Sequence, residues 1–109
     1  MSESQYSITN AMGDILNELQ RAEKKFPGFP TDPIHAAAIV VEEAGELQRA
    51  ALQVTYEKGS WPDLFSEAVQ VGAMAVRFII NLQNMKERPS EQVERVSGNV
   101  QQIKGRKKV

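Results

Sequence analysis

The chain has 109 residues, 41% hydrophobic and 25% charged, with a formal net charge of −1. That is the size and balance of one soluble domain, 1–109, with a modest core that oligomerisation would help complete. A charge this near zero gives no general attraction to nucleic acid or anionic membrane, and the lack of cysteine excludes disulfides, zinc–thiolate centres and thiol catalysis while fitting a cytoplasmic setting.

The opening MSESQYSITN is polar, so no signal peptide is expected, and residues 1–6 should fray. From about Ser7 to Lys25, the positions Ile8, Met12, Ile15, Leu19, Ala22 and Phe26 recur at four-three spacing, which predicts an amphipathic helix with a narrow seam. Asp14, Glu18, Arg21 and Lys25 fall on its outer face and are expected to be solvated. FPGFPTDP, Phe26 to Pro33, is a loop in which prolines and a glycine stop one helix and set up the next. Thr31 or Asp32 can cap that next helix, with Pro33 at its first position. Phe26 and Phe29 read as core plugs, or as a cover over a ligand held between helices.

The second helix runs from about Pro33 to Tyr56. Ile34, Ala37, Val40, Val41, Ala44, Leu47, Ala51 and Leu52 form a broad apolar arc, and the alanines with Gly45 would let another helix approach closely. Within it VVEEAGEL carries Glu42, Glu43 and Glu46. His35 lies about two turns earlier on the side of Glu42 and Glu46, either as a surface histidine or as a ligand contact. TYEKGSWPD then has turn chemistry, with Lys58 and Gly59, followed by a helix start at Ser60. Asp63 reads as part of a cap or as an acid one turn before Glu67, and Trp61 as a hydrophobic staple or a ligand cover.

The third helix is apolar nearly all round. From Ala68 to Leu82 only Gln70, Arg77 and Asn81 are polar, a run too short and too polar to span a bilayer. They share a narrow stripe beside Glu67 and in line with Asp63. A polar stripe on a buried helix lines a ligand, a metal or a partner, and an unpaired buried carboxylate is costly. Arg77 would meet phosphate or pair with an acid. The helix ends by NMKERP. Val93, Val96, Val100 and Ile103 then predict a weakly apolar fourth helix within Ser90–Ile103, followed by a mobile basic tail, 104–109.

Helices two and three should form an antiparallel hairpin. One register sets Glu43 against Gln70 and Glu46 against Glu67, and its centre falls between Tyr56 and Glu57, where the turn chemistry lies. Taken alone, Glu42, Glu43 and Glu46 read as a solvated face; Glu67 opposite them points to a metal site. Oxygen ligands without cysteine suit a hard divalent cation, Mg²⁺ or Mn²⁺. The single histidine rules out dinuclear iron sites built from Glu-x-x-His pairs.

EEAGEL followed by SEAVQVGAMA resembles the MazG-like, all-α nucleoside triphosphate pyrophosphohydrolases. Their signature is Glu-x-x-Glu on one helix and Glu-x-x-Asp on the next. Glu43-Ala44-Gly45-Glu46 matches the first half, and Glu67-Ala68-Val69-Gln70 matches the second except that glutamine stands where aspartate is expected. The likeness covers roughly residues 8 to 86.

It implies metal-dependent hydrolysis of a nucleoside triphosphate to monophosphate and pyrophosphate, for nucleotide-pool cleansing, by a homodimer or homotetramer. Glu43, Glu46 and Glu67, with Gln70, would hold Mg²⁺ or Mn²⁺. Glu43, or Glu42 beside it, would serve the attacking water. His35, Lys58, Trp61, Asp63, Arg77 and Asn81 would contact substrate, with Lys24 and Lys25 as further phosphate candidates. The fold expected is an all-α antiparallel bundle of about four helices, its central hairpin carrying the acids, completed by oligomerisation. The alternative left by Gln70 is a catalytically weak or inactive nucleotide-binding, regulatory module.

Overall fold

The structure, a computed structural model, describes residues 5–86. The described residues form three α-helices and no strand: α1 (Ile8–Lys25), α2 (Pro33–Tyr56) and α3 (Trp61–Lys86). The expected fourth helix and the basic tail lie outside the described residues.

Each helix starts where a short polar side chain captures a free amide. Ser7 caps α1: its hydroxyl accepts from the Asn10 amide at 3.2 Å, and the Asn10 side chain accepts from the Ser7 amide at 2.8 Å. Asp32 caps α2, accepting from the His35 amide at 2.9 Å with Pro33 next to it. The Ser60 hydroxyl accepts from the Asp63 amide at 3.1 Å and starts α3. Lys24, Lys25 and Lys86 sit in last turns, where their charge complements the exposed carbonyls.

The turn between α2 and α3 is tight. The amides of Glu57 and Gly59 both donate to the Gln53 carbonyl, at 2.9 and 3.0 Å. A Cβ on Gly59 would lie 2.7 Å from the Gln53 Cβ and 2.8 Å from its carbonyl carbon. Only a residue without a side chain lets the chain turn back this closely.

α3 is the shared element, with α2 along one side and α1 along another. The contacts are made by small residues: Ala22 on α1, Ala36 and Ala50 on α2 and Ala73 on α3 are buried, together with Met85. Gly72 admits α1, since a Cβ there would meet the Ile15 side chain at 2.8 Å. Gly45, by contrast, has nothing near it, so no described helix uses the close approach expected on that face of α2.

Three expectations are corrected. α3 is not buried all round: Phe65, Ile79 and Ile80 are about half exposed, because only two helices cover it among the described residues. The seam read on α1 faces inward only in part: Ile15, Leu19 and Ala22 are covered, Ile8, Met12 and Phe26 are exposed, and Asp14 and Glu18, expected to be solvated, are half-buried. Residue 6 is also not free: the Tyr6 ring stands edge-on to Phe65, with centroids 5.9 Å apart, and its hydroxyl donates to Asp14 at 2.5 Å.

Candidate functional site

The hairpin packs α2 against α3, and the acids are distributed over the two helices. Glu43 and Glu67 are half-buried, while Glu42 and Glu46 are exposed. Glu43 lies at the centre of the charge. Its carboxyl is raised above its ordinary value first by burial, then by the carboxylates of Glu67, Glu46, Glu42 and Glu18. Both causes disfavour the ionised form: desolvation removes water from it, and like charges repel it.

The contribution from Glu67 crosses from α3 to α2, whereas the register read from the sequence set Glu67 against Glu46 and Glu43 against Gln70. Glu18 was not foreseen. It comes from α1, is 17% exposed, and is gripped by Arg21 through contacts of 2.9 and 2.6 Å. That pair lowers the Glu18 carboxyl, chiefly through the hydrogen bond from Arg21. Its spacing from Ile15 and Ala22, both on the inner face of α1, was the available signal; the acidic side chain read instead as outer surface.

Carboxylates on two packed helices are the type of donor a hard divalent cation takes. The geometry is not drawn together: among the described residues no three acidic or histidine side chains converge where an ion would sit. Glu46 reaches Arg49 on its own helix at 3.9 Å. Gln70 is turned along α3, its amide donating to the Ser66 hydroxyl at 3.2 Å. Holding a cation therefore requires rotation of these side chains about the hairpin.

The expected substrate contacts are scattered. Arg77 is 4% exposed, and one of its terminal nitrogens donates to the carbonyls of Phe26 at 2.6 Å and Gly28 at 3.2 Å. Its guanidinium also lies 5.0 Å from the Phe29 ring centroid. Arg77 thus ties the loop after α1 to α3, rather than pairing with an acid or lying open to phosphate. Its Nε is buried without a partner among the described residues. Asn81 donates to the Arg77 carbonyl at 2.7 Å and so is spent on its own helix. His35, Lys58, Trp61 and Asp63 are exposed, the last two in the first turn of α3. Lys24 and Lys25 are exposed at the end of α1, with the Lys25 ammonium 5.4 Å from the Phe26 ring centroid.

A groove runs between α1 and α3, with a volume of about 280 Å³, lined by Asp14, Asn17, Glu18, Arg21, Phe65, Ser66 and Val69. It joins the acids at two points: Glu18 acts on Glu43, and Ser66 precedes Glu67 and holds Gln70. No helix among the described residues is long and apolar enough to cross a membrane. Compared with known proteins, the chain matches no family model, no curated protein and no solved structure.

Proposed function

We propose that the chain is a metal-dependent nucleoside triphosphate pyrophosphohydrolase of the MazG-like kind, acting on an NTP or dNTP in the cytoplasm as a homodimer or homotetramer. What supports this reading is the packed hairpin of α2 and α3, which carries Glu43 and Glu46 on one helix and Glu67 on the other, with Glu67 among the carboxylates that add to burial in raising the Glu43 carboxyl.

Glu43, Glu46 and Glu67 would hold Mg²⁺ or Mn²⁺, and Gln70 would add a neutral amide oxygen after leaving Ser66. When bound, the metal neutralises triphosphate charge and makes the α-phosphorus more electrophilic. The chain's own acids then do the rest. Glu42, exposed beside the cluster, or Glu43 itself accepts the proton of the water whose oxygen bonds to the α-phosphorus. The bond from that phosphorus to the bridging oxygen breaks, and pyrophosphate leaves with the electron pair.

Among the cations considered for the phosphates, Lys24, Lys25 and Lys58 are exposed. Pyrophosphate release tests the reading. With Mg²⁺, one or more triphosphates should yield pyrophosphate, and Glu67→Gln should abolish the yield while the protein stays folded. Full activity in Glu67→Gln would remove the hairpin acids from the mechanism.

A second reading has one observation in its favour. Gln70 turns its amide to Ser66, leaving the fourth ligand position without charge. A nucleotide-binding, regulatory module with little turnover would show nucleotide-dependent thermal stabilisation without pyrophosphate, and Gln70→Asp would be its decisive variant.

A further inference from the structure

The groove between α1 and α3 is unused by the chemistry above. Its apolar part is Val69 and the Phe65 ring, which is half exposed and held by the edge-on contact with Tyr6. Its polar rim is mixed. Asp14 uses one carboxylate oxygen for the Tyr6 hydroxyl and keeps the other. Asn17 offers an amide with both donors and an acceptor. Ser66 accepts from Gln70, so its own hydroxyl proton is free to donate. The charge of Glu18 is offset by Arg21.

A rigid aromatic face with donors and acceptors around it suits a flat heteroaromatic ring. At about 280 Å³ the groove holds a base and its sugar rather than a whole triphosphate. Two of its lining residues relate it to the acids: Ser66 directly precedes Glu67, and Glu18 is among the carboxylates that raise the Glu43 carboxyl, so a nucleoside there would extend its phosphates toward that end.

We propose that the α1–α3 groove is the nucleoside subsite, and that it takes a base with an exocyclic amino group (cytosine, adenine or guanine) in preference to uracil or thymine. The free rim oxygen of Asp14 belongs to a carboxylate, which only accepts hydrogen bonds. An amino group donates to it, as cytosine does to acidic side chains in other settings. Uracil and thymine present carbonyls on either side of a single N–H, and these carbonyls are repelled by the carboxylate. The subsite deepens the proposed hydrolase reading and rests on it for the placement of the phosphates.

The experiment has a binding arm and a kinetic arm. In the binding arm, cytidine and uridine 5′-monophosphate are titrated, without metal, into the full chain, and NMR shifts of Asn17, Phe65 and Ser66 are followed. CMP should move these resonances at lower concentration than UMP. In the kinetic arm, CTP and UTP are compared with Mg²⁺. Asp14→Asn exchanges an acceptor oxygen for a donor, so it should raise KM for CTP about tenfold and lower it for UTP. Phe65→Leu keeps apolar volume but removes the stacking face, and should raise KM for both about tenfold with little change in kcat.

Equal responses to CMP and UMP, or shifts confined to other residues, overturn the subsite. So does hydrolysis with KM unmoved in both variants. If no triphosphate is hydrolysed but CMP still moves the groove resonances selectively, the hydrolase reading fails and the subsite stands. Hydrolysis with a silent groove does the reverse: the hydrolase reading stands and the subsite fails.

Discussion

Glu43 is held in an environment that opposes its ionisation, and this has a consequence for stability. Its carboxyl binds a proton more tightly in the folded protein than in the unfolded chain, where the ordinary value is 4.5. Ionising it therefore costs folding free energy. Below that ordinary value the cost is absent; it grows as pH rises through the raised folded value, and is complete above it. Glu43→Gln should raise the melting temperature by roughly a few degrees in metal-free buffer at neutral pH, and the gain should fade as the pH falls toward 4.5 and be gone below it. Added Mg²⁺ should reverse the order, stabilising the parent and not the variant. Equal melting curves for parent and variant at all pH values would show that the acids do not feel one another.

Arg77 makes the second prediction at this scale. Arg77→Met keeps the apolar stem and removes the donors to Phe26 and Gly28, at an expected loss of about 1.5–3 kcal/mol. Arg77→Lys retains the charge without the planar fork and should recover only part of it. Denaturant titration gives the loss, and faster proteolysis within residues 26–32 would place it in the loop. Unchanged stability would contradict the pinning role. The sequence marked Arg77 as an anomaly on an apolar helix, correctly, but not its partners. Backbone carbonyls in a loop about fifty positions away carry no side-chain signal.

At the scale of elements, the caps and the hairpin were the most legible features, because they depend on neighbours in sequence. Asp32 with Pro33, Ser60 with Asp63, and the turn at Gly59 each combine residues a few positions apart whose backbone preferences agree. The hairpin of α2 and α3 followed from the turn. The orientation of α1 was less legible. Ile15, Leu19 and Ala22 of its seam do face inward, Ile15 against Gly72, but the covering of Asp14 and Glu18 depends on the angle at which α1 meets α3.

The two close glycines separate these effects. Gly59→Ala places its methyl group against the Gln53 Cβ and backbone, which cannot move without opening the turn. Gly72→Ala meets the flexible end of Ile15, which can swing away. Gly59→Ala should therefore cost more, about 1–3 kcal/mol by analogy with overpacked sites. Chemical denaturation of both variants checks the order; a larger loss at Gly72 would show that Ile15 is locked.

Across the described part of the molecule, the buried apolar groups are mostly alanines, and no large side chain is fully buried. Ile34 and Val41 on α2 are 80% and 68% exposed, and with Ala38 between them they continue one stripe. Exposed apolar surface of this kind favours association. The proposed homo-oligomer should sediment as a dimer or tetramer, and its melting temperature should rise with protein concentration. Ile34→Glu with Val41→Glu should dissociate it if this stripe lies in the interface. A parent protein that stays monomeric, with a concentration-independent melting temperature, would contradict the assembly. Composition made a modest core legible, but not which faces stay open, because that depends on the angles at which whole helices meet.

Hydrolysis in ¹⁸O-labelled water with Mg²⁺, followed by ³¹P NMR of the products, tests the proposed chemistry most directly. Water attack at the α-phosphorus predicts label in the nucleoside monophosphate and none in pyrophosphate, with both products lost in Glu67→Gln. Label in pyrophosphate or orthophosphate, or unchanged turnover in Glu67→Gln, would contradict attack at the α-phosphorus by a site built across α2 and α3.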